Sequence, residues 1–281
     1  MTMSYGINTR CIYGEEREQG DEKHYGALSY PIYQTATFQH PQVGVSSGYD
    51  YSRLSNPTRN QLENVVASLE KGTHAYAFSS GMAAITVAME IFSQGAHIIA
   101  GDDLYGGSVR LFDNISKKNG YEVEYVDTSR EDVEKYIRPE TKAVYIETPT
   151  NPMMNVTDIA RVAEITKRYG ILLIVDNTFL SPYLQNPLEL GADIVVHSTS
   201  KYVNGGGNAI SGVIIDSGSF KWDTSRYKGL EEYKKFGRFS YLAKLRNGIW
   251  RNVGCCLAPF NAFLNSVGIE TLGLRMERLC Y

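Results

Sequence analysis

The stretch Gly191–Asp216, GADIVVHSTSKYVNGGGNAISGVIID, decides how the chain is read. Ile194-Val195-Val196 is a short apolar, β-branched run, the pattern of a strand buried on both faces. Three small hydroxyl residues follow, Ser198, Thr199 and Ser200, then Lys201, and shortly afterwards the triplet Gly205-Gly206-Gly207. Lysine ordinarily keeps its charge in water. This one is expected just past a strand end, beside groups suited to an anion. SGVIIDSG, after the triplet, reads as a further strand.

Working outward, the same alternation extends through most of the chain. HAYAFS, HIIA, YEVEYV, AVYIET, ILLIVDN and ADIVVHS are apolar or β-branched runs. Between them lie the helical patterns MAAITVAMEIF, SVRLFDNISKK, REDVEKYI and VTDIARVAEITKRYG. Strands and helices in alternation predict an α/β fold, three layers αβα around a mainly parallel sheet. NPTRNQLENVVASLEKG predicts a helix capped by Asn56, opened by Pro57, with Leu62, Val65, Val66 and Leu69 on one face and Gly72 as its stop. Residues 1–55 are polar, aromatic and turn-rich, and are expected to form an extended arm. Residues 251–281 are mostly helical in pattern and carry apolar faces with no strand after them. They are expected to begin a C-terminal domain that is cut short.

The charge balance, −3 over 281 residues, gives no electrostatic reason to expect nucleic acid or an anionic membrane as partner. No run approaches the ~20 apolar residues of a membrane span, and the first residues lack a signal-peptide core, so the expected location is cytoplasmic. Cys11, Cys255, Cys256 and Cys280 have no C-x-x-C spacing, and the five histidines form no H-E-x-x-H. No metal site is expected.

In an open α/β sheet, ligands bind beyond the carboxyl ends of the strands. AVYIET ends at Glu147 with Asn151 close behind; ILLIVDN carries Asp176; ADIVVHS ends on Ser198; AFSSGMAA turns at Ser79-Ser80-Gly81 into a helix. That helix start offers backbone N–H groups to a phosphate, and Ser198 and Ser200 could add hydroxyls. Asp176 is expected on the strand neighbouring the lysine, buried and in need of a cation, which a protonated pyridine nitrogen would supply. A lysine with its charge disfavoured by burial can lose a proton and form a Schiff base. Anion cradle, carboxylate and amine together fit pyridoxal 5′-phosphate (PLP).

From Tyr30 onward the chain resembles the Cys/Met-metabolism PLP-dependent enzymes, the γ-family of fold type I. The resemblance rests on YPIYQTATF, YDYSRLSNPTRNQLE, AFSSGMAA, LYGGS, ETPTNP, VDNTF and HSTSKY, in that order. It implies that residues 56–250 are the PLP-binding large domain. It implies Lys201 as Schiff-base residue and acid/base, and Asp176 on the pyridinium nitrogen. Gly81 and Met82 amides and the Ser198 and Ser200 hydroxyls would hold the phosphate. Tyr105 would stack on the ring and assist proton transfer, and Asn151 would lie near the cofactor's O3′ and the substrate carboxylate. Tyr51 and Arg53 would reach the phosphate of a neighbouring subunit, implying a homodimer or homotetramer with shared sites. The stretch from Ile214 to Cys280 is most similar to O-acetylhomoserine sulfhydrylases, and Gly107 points away from methionine γ-lyases. The implied reaction is γ-replacement on O-acetylhomoserine with sulfide or a thiol. The alternatives are a methionine or cystathionine γ-lyase, a cystathionine γ-synthase, or a catalytically silent fragment that binds PLP or full-length subunits.

Overall fold

All seven apolar runs become strands of one sheet. A computed structural model describes residues 5–15 and 24–281. The strands are β1 His74–Phe78, β2 His97–Gly101, β3 Glu122–Val126, β4 Thr141–Glu147, β5 Leu172–Asp176, β6 Ile194–His197 and β7 Gly212–Asp216, in the order β1-β7-β6-β5-β4-β2-β3. β2 to β6 pair in parallel; β7 runs antiparallel to both β6 and β1, so β1 points the same way as β6. Six strands thus send their carboxyl ends to one edge of the sheet, and β7 alone brings its amino end there.

Side chains alternate between the two faces of a strand, and the core divides accordingly. Ala143, Tyr145, Leu172, Ile174, Ile194, Val196 and Ile214 pack on one face with the helix α3 (Gly81–Met89) and the segment from Tyr227 to Trp250. Val195, Val213, Ile215 and Ala75 pack on the other with the helix α2 (Pro57–Glu70), and Val144, Ile146, Leu173 and Val175 with the helix Ile159–Tyr169. Each Val, Leu or Ile side chain so buried contributes roughly 1.5–3 kcal/mol. The architecture is the expected three-layer αβα.

Local chemistry sets the helix starts. Asn56 accepts from Thr58 N–H and Pro57 opens α2; Ser80 accepts from Ala83 N–H at the start of α3. The left-handed residue that ends α2 is Lys71, with φ 62°, rather than Gly72, which instead lies flush against Ile215 of β7. REDVEKYI forms only the four-residue 3₁₀ turn Val133–Tyr136, which crosses from β3 to β4 with Val133 buried and Tyr136 and Ile137 partly buried against the core. In the arm, Ile7–Tyr13 forms the helix α1: Cys11 is buried against α2, and Arg10 donates to the Ser68 carbonyl. Residues 1–4 and 16–23 of the arm lie outside the described residues.

The last two helices, Pro259–Glu270 and Leu272–Leu279, bury Ala262, Ile269, Leu272 and Met276 in the same core as α2 and β7. They also hold the turn after β6. Arg275 donates to the carbonyls of Tyr202 (2.6 Å), Val203 (3.3 Å) and Gly268 (2.7 Å). Gly205, at φ +67°, has no Cβ to obstruct that guanidinium. Arg275→Ala leaves these carbonyls without their donor. The expected cost is on the order of 1–3 kcal/mol in denaturant unfolding, with faster amide exchange confined to the turn that carries Lys201.

At the opposite edge of the sheet, burial pushes the carboxyls of Asp193 and Asp216 up to about 7 and about 6. Glu63, under β1, is pushed up to about 7, also chiefly by burial. Between the ordinary carboxylate range and these values, the folded chain holds protons that the unfolded chain has released. Stability should therefore fall as pH rises from about 5 to about 7, by at most about 1.4 kcal/mol per pH unit for each titrating group. Asp193→Asn keeps an acceptor for the Leu173 N–H that Asp193 now binds at 2.9 Å, and should flatten part of that slope in unfolding curves at several pH values.

Candidate active site

Asp176 ends β5 in register with Glu147 at the end of β4, and both lie on the α3 side of the sheet. Asp176 is 6% exposed. One carboxylate oxygen accepts from Thr178 N–H at 3.0 Å, the other from the Tyr145 hydroxyl at 3.3 Å. Burial holds its carboxyl above the usual range, against the pull of Thr178 and, through the sheet, of His197. Among the described residues no ion pair reaches Asp176. His197 lies on the other face, paired with Glu70 at 2.6 Å.

Beside it, β1 and β6 meet across the reversed β7. The start of α3 rests on the end of β6 so closely that a Cβ on Gly81 would sit 2.7 Å from Ser198 Cβ and 3.0 Å from its Oγ. Only glycine permits that approach. Ser80 engages the Ala83 amide, and Ala84 donates to the Ser80 carbonyl. The Gly81 and Met82 amides remain the open donors of the first turn among the described residues. Thr178 links the two strand ends, since its hydroxyl accepts from Ser198 N–H at 2.8 Å.

Ser200 is placed differently from expectation. Its hydroxyl donates to the Ser211 carbonyl at 3.1 Å and accepts from Ser211 N–H at 2.8 Å, so its proton is engaged within the protein. Thr199 donates to Ser211 Oγ, which donates to Asn265 on the helix Pro259–Glu270. Lys201 follows on a turn closed by its own N–H to the Ser198 carbonyl and by Gly205 N–H to the Lys201 carbonyl. Its side chain is exposed, which corrects the expectation of a buried amine. The turn stands beyond the strand end, on the open edge of the sheet rather than between layers.

Tyr105 opens the helix Gly106–Leu111 after β2 and is 47% exposed; Asn151, in the loop after β4, is also exposed. Glu147 connects them. Its Oε2 accepts from Tyr105 N–H at 2.8 Å and its Oε1 from Asn151 N–H at 3.1 Å. Burial first, then the charge of Asp176, pushes the Glu147 carboxyl up to about 7. Tyr51 and Arg53 contact each other, the guanidinium 5.3 Å from the ring centre, and Arg53 donates to the Arg251 carbonyl. Among the described residues none of their hydrogen bonds reaches the Gly81–Ser198 contact. Their turn is held by the fully buried Arg59, which donates to the Ser52 and Leu257 carbonyls and lies over Trp250.

Sequence reasoning thus brought Asp176, Gly81, Met82, Ser198 and the Lys201 turn to one edge, with Tyr105 and Asn151 beside them. It did not single out Thr178, Ser211 or Arg59. Thr178 had a usable signal, a hydroxyl two residues after a strand-end aspartate. The residues present fit PLP. A buried carboxylate without a cation matches a protonated ring nitrogen, and the Gly81–Ser198 contact leaves amides and a hydroxyl for a phosphate.

Known proteins agree with that fit. Cystathionine gamma-lyase of Bacillus subtilis (strain 168) is 47% identical over 261 residues, 92% of this chain and 63% of that protein. The cystathionine gamma-synthase/O-acetylhomoserine (thiol)-lyase of the same organism is 44% identical over 90% of this chain and 62% of its own length. The chain therefore spans less than two-thirds of these relatives. The crystal structure of cystathionine gamma-lyase from Lactobacillus plantarum complexed with L-serine matches with a TM-score of 0.81 and 40% identity, over 96% of this chain and 65% of that one. Residues 8–280 match the Cys/Met metabolism PLP-dependent enzyme family, and with identities of this size across nearly the whole chain, the protein belongs to that family.

Proposed function

We propose that the chain carries the PLP site of an enzyme that makes or breaks a carbon–sulfur bond in an amino acid of the cystathionine class. The observation that carries this reading is Asp176, a buried carboxylate without a cation, one strand away from the turn of Lys201. When bound, PLP supplies an electron sink for the pair left at the substrate Cα. Asp176 holds the ring nitrogen protonated. The Gly81 and Met82 amides and the Ser198 hydroxyl hold the phosphate, and Ser200 shapes the loop that presents it. Lys201 would be the amine that holds the cofactor aldehyde and would move protons at the substrate Cα and Cβ. Tyr105 would pack on the cofactor and take or give the proton at the sulfur. Asn151 would serve the cofactor's O3′ and the substrate carboxylate. Tyr51 and Arg53, whose contacts in their own chain are with each other and with the Arg251 carbonyl, would serve a neighbouring subunit in a homodimer or homotetramer.

The names of the relatives favour cystathionine lyase or synthase chemistry over the O-acetylhomoserine sulfhydrylase suggested by the sequence. Sulfide or thiol transfer to O-acetylhomoserine stands as the second reading, supported by the two-part name of one relative. Incubation with cystathionine separates the reactions. Each cleavage consumes one water: γ-cleavage gives cysteine, 2-oxobutanoate and ammonia, and β-cleavage gives homocysteine, pyruvate and ammonia. Homocysteine from O-acetylhomoserine and sulfide, with neither keto acid from cystathionine, would reverse the preference.

Two variants test the site itself. PLP added to the 281-residue chain should give a visible absorbance band that Lys201→Ala abolishes. Asp176→Ala should weaken PLP binding by at least tenfold, the loss of about 1.4 kcal/mol of charge pairing, while far-UV circular dichroism is unchanged. Retention of both the band and the affinity in the two variants would rule the site out.

A further inference from the structure

We propose that Glu147 is a positioning residue, which sets Tyr105 and Asn151 against the cofactor by holding their backbone amides and couples that hold to the charge beside Asp176. The inference rests on the PLP site proposed above and concerns how it is assembled. Tyr105 and Asn151 belong to different loops, one after β2 and one after β4. Each oxygen of the Glu147 carboxylate accepts one of their N–H groups, and the residue is only 6% exposed. The same two loops are tied again through Asp103, which accepts from the Thr150 hydroxyl and from Asn155 Nδ2.

Among the described residues, the charged groups that act on Glu147 are acidic. Asp176 lies in register on β5, Asp103 in the loop after β2, and Tyr145 two residues back on β4; His197, whose charge acts on Asp176, is paired with Glu70 on the other face of the sheet. No lysine or arginine acts on it among these. Its carboxyl accordingly stands at about 7, poised between two states near neutrality. As carboxylate it accepts both N–H groups. Once protonated, one oxygen carries an O–H and loses acceptor strength, so one loop is released. A cation placed against Asp176 removes part of the repulsion and favours the ionised clamp. Linkage makes the effect mutual: cofactor binding tightens the clamp, and an ionised clamp favours cofactor binding.

The test follows the backbone amide resonances of Tyr105 and Asn151 in the cofactor-free chain from about pH 5.5 to about pH 8.5. Both should titrate with one shared midpoint near neutrality, and PLP should move that midpoint to lower pH. In Glu147→Gln the shared titration should vanish. The wild-type dissociation constant for PLP should fall roughly fivefold to tenfold across that midpoint, beyond any change seen in Glu147→Gln. Should that variant not fold, the wild-type amide titration decides alone. Separate midpoints, or none, would overturn the clamp. Identical pH dependence of PLP affinity in the two proteins would overturn the coupling. A failure of PLP to bind either protein would sink the cofactor site and the coupling, and the amides would still report the clamp.

Discussion

Two carboxylates stand side by side at the ends of β4 and β5, out of water, with no positive charge against either among the described residues. In a protein interior that arrangement is unfavourable unless something cationic arrives or a proton stays on. Hydrogen bonds from Thr178, Tyr145 and two loop amides satisfy the oxygens but leave the charge. The rest of the edge fits around this constraint. Donors for an anion lie at the end of β6, the neighbour of β5, and at the start of α3, which rests on that end, so the edge is divided into an acidic part and a part that receives anions.

That division depends on β7 running against its neighbours. Had β7 been parallel, its carboxyl end rather than Ser211 and Gly212 would lie beside Ser200 and Gly81. Reversed, it brings Ser211 to hold the Ser200 loop and a residue without a side chain to the place where α3 begins. The contact between Gly81 and Ser198 follows from the order and direction of three strands, which no single motif specifies.

This marks the boundary of what could be read from the sequence. Most of the strands were legible as short apolar runs, and β3 as β-branched and aromatic residues alternating with Glu122 and Glu124. α2 and α3 were legible because their caps are local hydrogen bonds between residues two or three apart. Asp176 was legible because a carboxylate in an apolar strand asks for a partner. The direction of β7 was not, since strand pairing is non-local and SGVIIDSG reads alike in either orientation. The exposure of Lys201 and the engagement of Ser200 depend on the turn and on Ser211, eleven residues from Ser200. For Glu147 the sequence left a strand-end role and a site role equally open, because its partners are backbone amides, which every sequence contains.

The same lesson extends to residues 251–281. Read as the start of another domain, they in fact share the core of α2 and β7, and through Asn265 and Arg275 they take hold of the loops on both sides of Lys201. Arg275 and Glu147 act alike: each buries or half-buries a charge and directs it at main-chain groups of a loop bearing a proposed site residue. Side chains that touch a cofactor can be replaced only by the same chemistry, but a loop can be held by any well-placed charge. The proposed site is therefore defined as much by what grips its loops as by what faces the ligand. Its geometry rests on contacts with Asn265 and Arg275, both well outside the motifs that announced it.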